Sequence, residues 1–196
     1  MSSYEDQKTT RITTGVVRLS FANIWEPRSI DGAEPKYSAS LLISKDDGQT
    51  IEKVNNAIGV AIEKGKQKFG WTGQERLRTP FHDGDSERAY DAAYANHFYV
   101  NANNRMKPLI VDSKCEEITD EERVYSGAYV RAIITMFPYS KSGNKGVACS
   151  LGNIQKVKDG EPLGSPNNAT NDFADSEEFF STLLEPNTAT KESFLD

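Results

Sequence analysis

The chain has 196 residues, 37% of them hydrophobic and 10% aromatic, which is enough for one core, and it carries a formal charge of −6 with a pI near 5.1. No apolar run approaches the ~18 residues a membrane span needs, and residues 1–10 hold none of signal-peptide length, so the protein is expected in the cytoplasm, with no membrane partner. Cys115 and Cys149 stand far apart without a CxxC partner, which fits reduced, inert thiols rather than a disulfide framework.

Residues 1–10 read as a flexible N-terminus. Residues 11–22 (RITTGVVRLSFA) alternate as a strand, with Val17, Leu19 and Phe21 on one face and Val16, Arg18 and Ser20 on the other. Residues 25–35 read as a loop. Residues 36–44 (KYSASLLIS) alternate again, Tyr37, Ala39, Leu41 and Ile43 lying opposite Lys36, Ser38 and Ser40. From about 47 to 69 the apolar spacing becomes helical: Ile51, Val54, Ile58 and Ile62 form one stripe, and Asp46 or Asp47 is placed to cap its start. Residues 70–96 are polar, punctuated by Gly and Pro and too long for a turn, with a short helix expected at AYDAAYA; such an insertion is often a binding element.

HFYVNA (97–102) and PLIVD (108–112) predict two strands around a basic turn holding Arg105 and Lys107. Residues 128–139 and 146–157 predict the longest hairpin, joined by SKSGNK. The body, 11–158, is thus five or six strands and one principal helix. It is weakly basic, with 22 Lys and Arg against 20 Asp and Glu over residues 1–158, whereas residues 159–196 carry nine carboxylates and one lysine. That acidic tail is rich in Pro, Asn, Ser and Thr and reads as disordered, apart from a transient helix around 177–184. A basic body with an acidic tail suggests a protein that handles a polyanion and carries a strip that competes for the same groove or recruits partners.

In the strand 128–139 the even positions (Ala128, Val130, Ala132, Ile134, Met136) suit a core. The odd positions (Tyr129, Arg131, Ile133, Thr135, Phe137, Tyr139) form an aromatic platform containing a cation. Lys141 and Lys145 follow in the turn, and Arg18 and Lys36 belong on neighbouring strands. Rings stack on unpaired bases while cations follow phosphates, which is how sequence-tolerant single-strand binding is built. An ordinary sheet with its second face covered accounts for the same pattern. Trp25 with Arg28, and Trp71 with Lys68, are similar pairs in loops, where a tryptophan serves equally as an apolar plug. Arg76, Arg78, Arg105 and Lys107 could extend a phosphate track.

Catalytic signals are weak. There is no GxxxxGK[ST], GxSxG or HExxH. His82, Asp83 and Asp85 (HDGD) could hold a divalent metal for a nuclease, but capping and turn formation account for them with less. His82, His97, Cys115 and Cys149 match no zinc-ligand spacing.

Taken in order, KYSASLLISK, PFHDGD, NHFYVNA with KPLIVD, YSGAYVRAIITMFPY and GVACSLGNIQKVKDGEPLG resemble the phage single-stranded-DNA-binding proteins of the Enc phage type over residues 11–165. The resemblance implies an OB-fold, no catalytic activity, no cofactor, and a role in coating ssDNA during phage replication, recombination or repair. It also implies that the acidic tail docks replication proteins of the phage or its host. Phe194, near the end in ESFLD, is the first candidate for docking, with Phe173, Phe179 and Phe180 as alternatives. The expected architecture is an all-β-dominated, OB-like barrel with one principal helix. The oligomeric state stays open, a homodimer included. The alternatives in other classes are a metal-dependent phage nuclease or resolvase using Asp83 and Asp85, and a structural virion protein.

Overall fold

The computed structural model describes residues 9–29 and 32–164. Phe173, Phe179, Phe180, Phe194 and the helix expected at 177–184 lie outside the described residues. In chain order the elements are β1 (Arg11–Thr13), β2 (Val17–Arg28), β3 (Lys36–Ser44), α1 (Gly48–Phe69), β4 (Phe81–Asp83), α2 (Gly84–Glu87), β5 (His97–Asn104), β6 (Ile110–Val111), β7 (Tyr129–Lys141) and β8 (Asn144–Lys158). The described chain is therefore mostly β with two helices.

Strand pairing follows from the alternation. β2 pairs antiparallel with β3, β3 with β5, and β7 with both β2 and β8, while β5 meets β8 in parallel at Asn103 and Ser150. The path returns to its starting strand, and its inner side is filled by one face of each strand: Leu19, Ile24, Leu41, Ile43, Val100, Ile134, Met136, Leu151 and Ile154 are all buried. Burying each such aliphatic side chain contributes about 1.5–3 kcal/mol. The parity expected for 128–139 holds: Val130, Ala132, Ile134 and Met136 face inward, and Arg131 and Phe137 are exposed on the other side. The β7–β8 hairpin turns on Ser142 and Gly143 alone, both at positive φ (50° and 80°), as a tight turn matched to strand twist requires.

The helix begins and ends where local chemistry dictates. Asp47 accepts the Thr50 N–H at 3.0 Å as the cap. Gly70 (φ 66°) stops α1 in the left-handed region, its N–H reaching the Lys66 carbonyl, and Trp71 folds back on the last turn. Gly65 leaves the space for this return, since a Cβ there would lie 2.1 Å from the indole. The stripe of Val54, Ala57, Ile58 and Ala61 packs on β7.

Five expectations need correction. The first strand is not continuous over 11–22, because Thr14 turns inward and its hydroxyl accepts the Ala132 N–H at 3.0 Å, separating β1 from β2. Residues 25–28 are not loop; β2 runs to Arg28, which pairs with Lys36. Phe21 does not share the Val17 and Leu19 face: the β2–β3 register slips between Ser20 and Asn23, and this bulge leaves Phe21 at φ 46° and 56% exposed. The short strands β1, β4 and β6 also raise the count beyond five or six, and 108–112 shrinks to Ile110–Val111.

Candidate nucleic-acid interface

The outer faces of β3 and β5 are polar at one end and apolar at the other. Cross-strand neighbours there are Ser38 with Asn103, Ser40 with Asn101, and Leu42 with Tyr99. The insertion covers the apolar end, where Tyr94 is fully buried, packs edge-on against Tyr99 at 5.1 Å and donates its hydroxyl to Ser20 Oγ at 3.1 Å. Burial pushes the Tyr99 phenol up. At the polar end Asn101 and Asn103 are exposed, while Ser40 is buried and donates to Asn101 Oδ1 at 2.6 Å.

Two open clefts, of about 500 and 970 Å³, share Asn101 and Asn103 and so form one groove across this floor. The first is bounded by Phe21, Arg28, Lys36 and Arg88. The Arg88 guanidinium lies 5.1 Å from the Phe21 ring centre, 5.2 Å from Tyr94 and 5.9 Å from Tyr99, so one cation is held among three rings. The contact with the exposed Phe21 ring is worth about 0.5–1 kcal/mol. The second cleft is bounded by Arg76, Arg78, Tyr139 and Lys145, with His82 stacked on Tyr99 at 5.0 Å. Segment 76–83 is fixed there because the Arg78 carbonyl accepts the Val147 N–H and Arg78 bridges Gly146, where a Cβ would meet the Arg78 carbonyl at 2.2 Å. Glu75 is held first by the Thr72 and Gly73 N–H groups, which keep its carboxyl below the usual range; Lys145 stands 3.9 Å away as a loose partner. Exposed rings and loosely paired cations around a polar floor can stack unpaired bases and neutralise phosphates.

The residues singled out from sequence separate into groups. Arg28, Lys36, Tyr139 and Lys145 line the groove. Phe137 is 43% exposed on the same side of β7 as Tyr139, and Lys141 is exposed beside the hairpin turn. Arg18, Tyr129 and Arg131 do not line it. Arg18 donates to the Gly127 and Glu161 carbonyls (3.3 and 2.7 Å), Tyr129 lies between Arg18 and Lys158, and Arg131 borders a small apolar depression with Val111 and Ile133. Trp71 is corrected: only 4% exposed, it is the plug at the end of α1 and offers no face. Trp25 is half-buried and donates its indole N–H to the Val124 carbonyl at 2.8 Å, with Lys107 over the ring; Arg105 pairs with Glu34. Phe21 and Arg88 also line the groove and were not singled out from sequence. Alternation hid the first behind the bulge, and the only trace of the second was a cation inside the aromatic run Tyr90, Tyr94, Tyr99.

Asp83 and Asp85 are committed elsewhere. The Lys45 ammonium sits 2.8 Å from Asp83 and 2.6 Å from Asp85, while Asp83 also caps α2 and Asp85 accepts the Asn96 N–H. The lysine bond, then the Asn96 N–H, holds the Asp85 carboxyl below its ordinary range. Among the described residues no group of three His, Cys, Asp or Glu side chains is placed to hold a metal. Burial pushes the Cys149 thiol up to about 12, and Cys115 is exposed.

Comparison with known proteins gives one consistent result. The family described as "Enterobacter phage Enc34, ssDNA-binding protein" matches residues 10–181. "Putative protein p50" of Acyrthosiphon pisum secondary endosymbiont phage 1 is 33% identical over 162 residues, covering 77% of this chain and 85% of that relative. The single-stranded DNA-binding protein of bacteriophage Enc34, solved in complex with ssDNA, superposes with a TM-score of 0.72 at 25% identity over 79% of this chain and 90% of that one. The single-stranded DNA binding protein gp2.5 of bacteriophage T7 shares the fold, with a TM-score of 0.55 at 14% identity over 96% and 99% of the two chains.

Proposed function

Because this chain belongs to the Enc34 family of phage single-stranded-DNA-binding proteins, we propose that it coats and protects ssDNA during phage replication, recombination or repair, in the host cytoplasm. The single observation that carries the site is the continuous groove over Ser40, Asn101 and Asn103, with Phe21 and Arg88 at one end and Tyr139 and Lys145 at the other. The closed strand path supports reading the body as an OB-fold-like barrel, whose strand faces commonly bind single strands. Bases stack on Phe21 and Tyr139, and Arg28, Lys36, Arg76, Arg78, Arg88 and Lys145 follow the phosphates. Trp25, Arg105 and Lys107 extend the track beyond the first cleft. Arg18 and Tyr129 serve packing in this reading, and the exposed Arg131 lies outside the groove.

The protein is a binding module without catalysis. Support comes from Lys45, whose ammonium occupies the space between the two carboxylates a nuclease would need for a metal. The acidic segment after Gly164, through Phe194 or through Phe173, Phe179 and Phe180, recruits replication proteins. Phe194→Ala should impair recruitment and leave DNA affinity nearly unchanged.

Titration of oligo-dT, a duplex and single-stranded RNA at several salt concentrations tests the reading. With ~3–6 phosphates neutralised per protomer, log K for ssDNA should fall against log salt with a slope of about −2 to −4. Duplex should bind far more weakly, since paired bases cannot reach the rings. A flat salt response, tighter duplex binding, or cleavage of labelled ssDNA with Mg²⁺ or Mn²⁺ would overturn it.

A further inference from the structure

Residues 159–163, expected from composition to belong to the tail, are fastened to the body. Tyr125 donates its hydroxyl to the Gly160 carbonyl at 2.9 Å, Arg18 donates to the Glu161 carbonyl at 2.7 Å, and the Leu163 N–H reaches the Ser126 carbonyl at 2.7 Å. The fit leaves no slack. A Cβ on Gly127 (φ 115°) would lie 2.1 Å from the Glu161 carbonyl oxygen, and one on Gly160 would lie 2.2 Å from the Gly127 oxygen. Leu163 then packs against the outer cluster of Leu42, Tyr94 and Tyr99.

Two links run from Leu163 toward the groove. Tyr94 and Tyr99, on which Leu163 rests, are two of the three rings that hold Arg88. Ser126, which accepts the Leu163 N–H, receives the Ala22 N–H on its own hydroxyl at 3.0 Å, and the next residue, Gly127, donates to the Leu19 carbonyl at 2.8 Å. The strap's anchor therefore grips the chain on either side of the bulge that turns Phe21 outward.

We infer that Leu163 and the strap 160–163 are positioning residues for the Phe21–Arg88 end of the groove, distinct from the acidic segment that follows. The inference rests on the groove reading above. A packed side chain holds its neighbours in one arrangement, and contacting residues couple in binding as they do in stability.

The test measures oligo-dT affinity of the full 196-residue chain carrying Leu163→Ala, Leu163→Met, Tyr125→Phe, Arg88→Ala, or Leu163→Ala with Arg88→Ala. Leu163→Ala should weaken binding roughly three- to tenfold with the thermal transition retained, in the lower range of couplings between contacting residues. Leu163→Met should restore it, and the double variant should bind no worse than Arg88→Ala alone. If Leu163→Ala fails to fold, Tyr125→Phe, which removes the hydroxyl that holds Gly160 and the Asp159 side chain, should show the same loss in smaller measure. Unchanged affinity in both Leu163→Ala and Tyr125→Phe, or losses that add in full in the double variant, would overturn the strap's role. Unchanged affinity in Arg88→Ala would instead overturn the groove itself, and the strap's role with it.

Discussion

At the scale of single residues, Phe21 separates stability from binding. A non-glycine residue at φ 46° stores of order 1–3 kcal/mol of backbone strain, yet its ring is exposed beside Arg88 rather than buried. Phe21→Gly should therefore leave thermal stability unchanged or raised, while ssDNA affinity falls by about 1–3 kcal/mol, the cost of losing one stacked ring. Equilibrium unfolding and oligo-dT titration of the same sample decide it; a drop in stability with affinity intact would mean the ring is structural. Gly65 gives the opposite case. Its Cβ would sit inside the Trp71 ring's envelope, so Gly65→Ala should destabilise by about 1–3 kcal/mol through overpacking, without changing the salt slope of DNA binding.

Among the elements, the insertion owes its place to the Lys45 clasp and the Tyr94 plug. Asp85 is held below its ordinary value of 3.8, so the stability it contributes is present above that pH and is lost as pH falls through the depressed value. Lys45→Met should raise the Asp85 pKa toward 3.8 and move the acid-induced loosening of residues 84–96 to higher pH; side-chain carboxyl NMR titration should show both. An unmoved Asp85 titration would mean the clasp does not form in solution.

The strands and α1 were legible because their apolar periods, 2 and 3.6, are set by burial on one side, and the cap at Asp47 is a local rule. The groove was only half legible. Tyr139, Lys145, Arg28 and Lys36 followed from composition and parity, whereas the bulge at Phe21 is set by pairing with β3 and the anchoring of residues 126–127, which no local pattern encodes. The burial of Trp71 and the bonds of Arg18 to residues 127 and 161 were hidden for the same reason, since a loop or strand position does not reveal what returns to cover it. The strap looked like tail because Asp159, Glu161 and Pro162 share the tail's composition, while its anchors at Ser126 and Gly127 are distant in sequence.

For the whole molecule, charge is the controlling property. Ending the chain after Gly164 removes seven carboxylates and Lys191, taking the formal charge from −6 to 0. Repulsion between a net-negative protein and DNA is long-ranged and screened within about 10 Å at 0.1 M salt. Truncation should tighten ssDNA binding clearly at low salt and make little difference at high salt, as measured by fluorescence anisotropy. Weaker binding by the truncated chain at low salt would mean that the removed segment contributes to the DNA site.

Amide and side-chain NMR shifts on adding oligo-dT test the location of that site most directly. The largest changes should fall on Phe21, Ser40, Arg88, Asn101, Asn103, Tyr139 and Lys145. Changes concentrated instead on Arg18, Tyr129 and Arg131, with the β3–β5 floor silent, would contradict it.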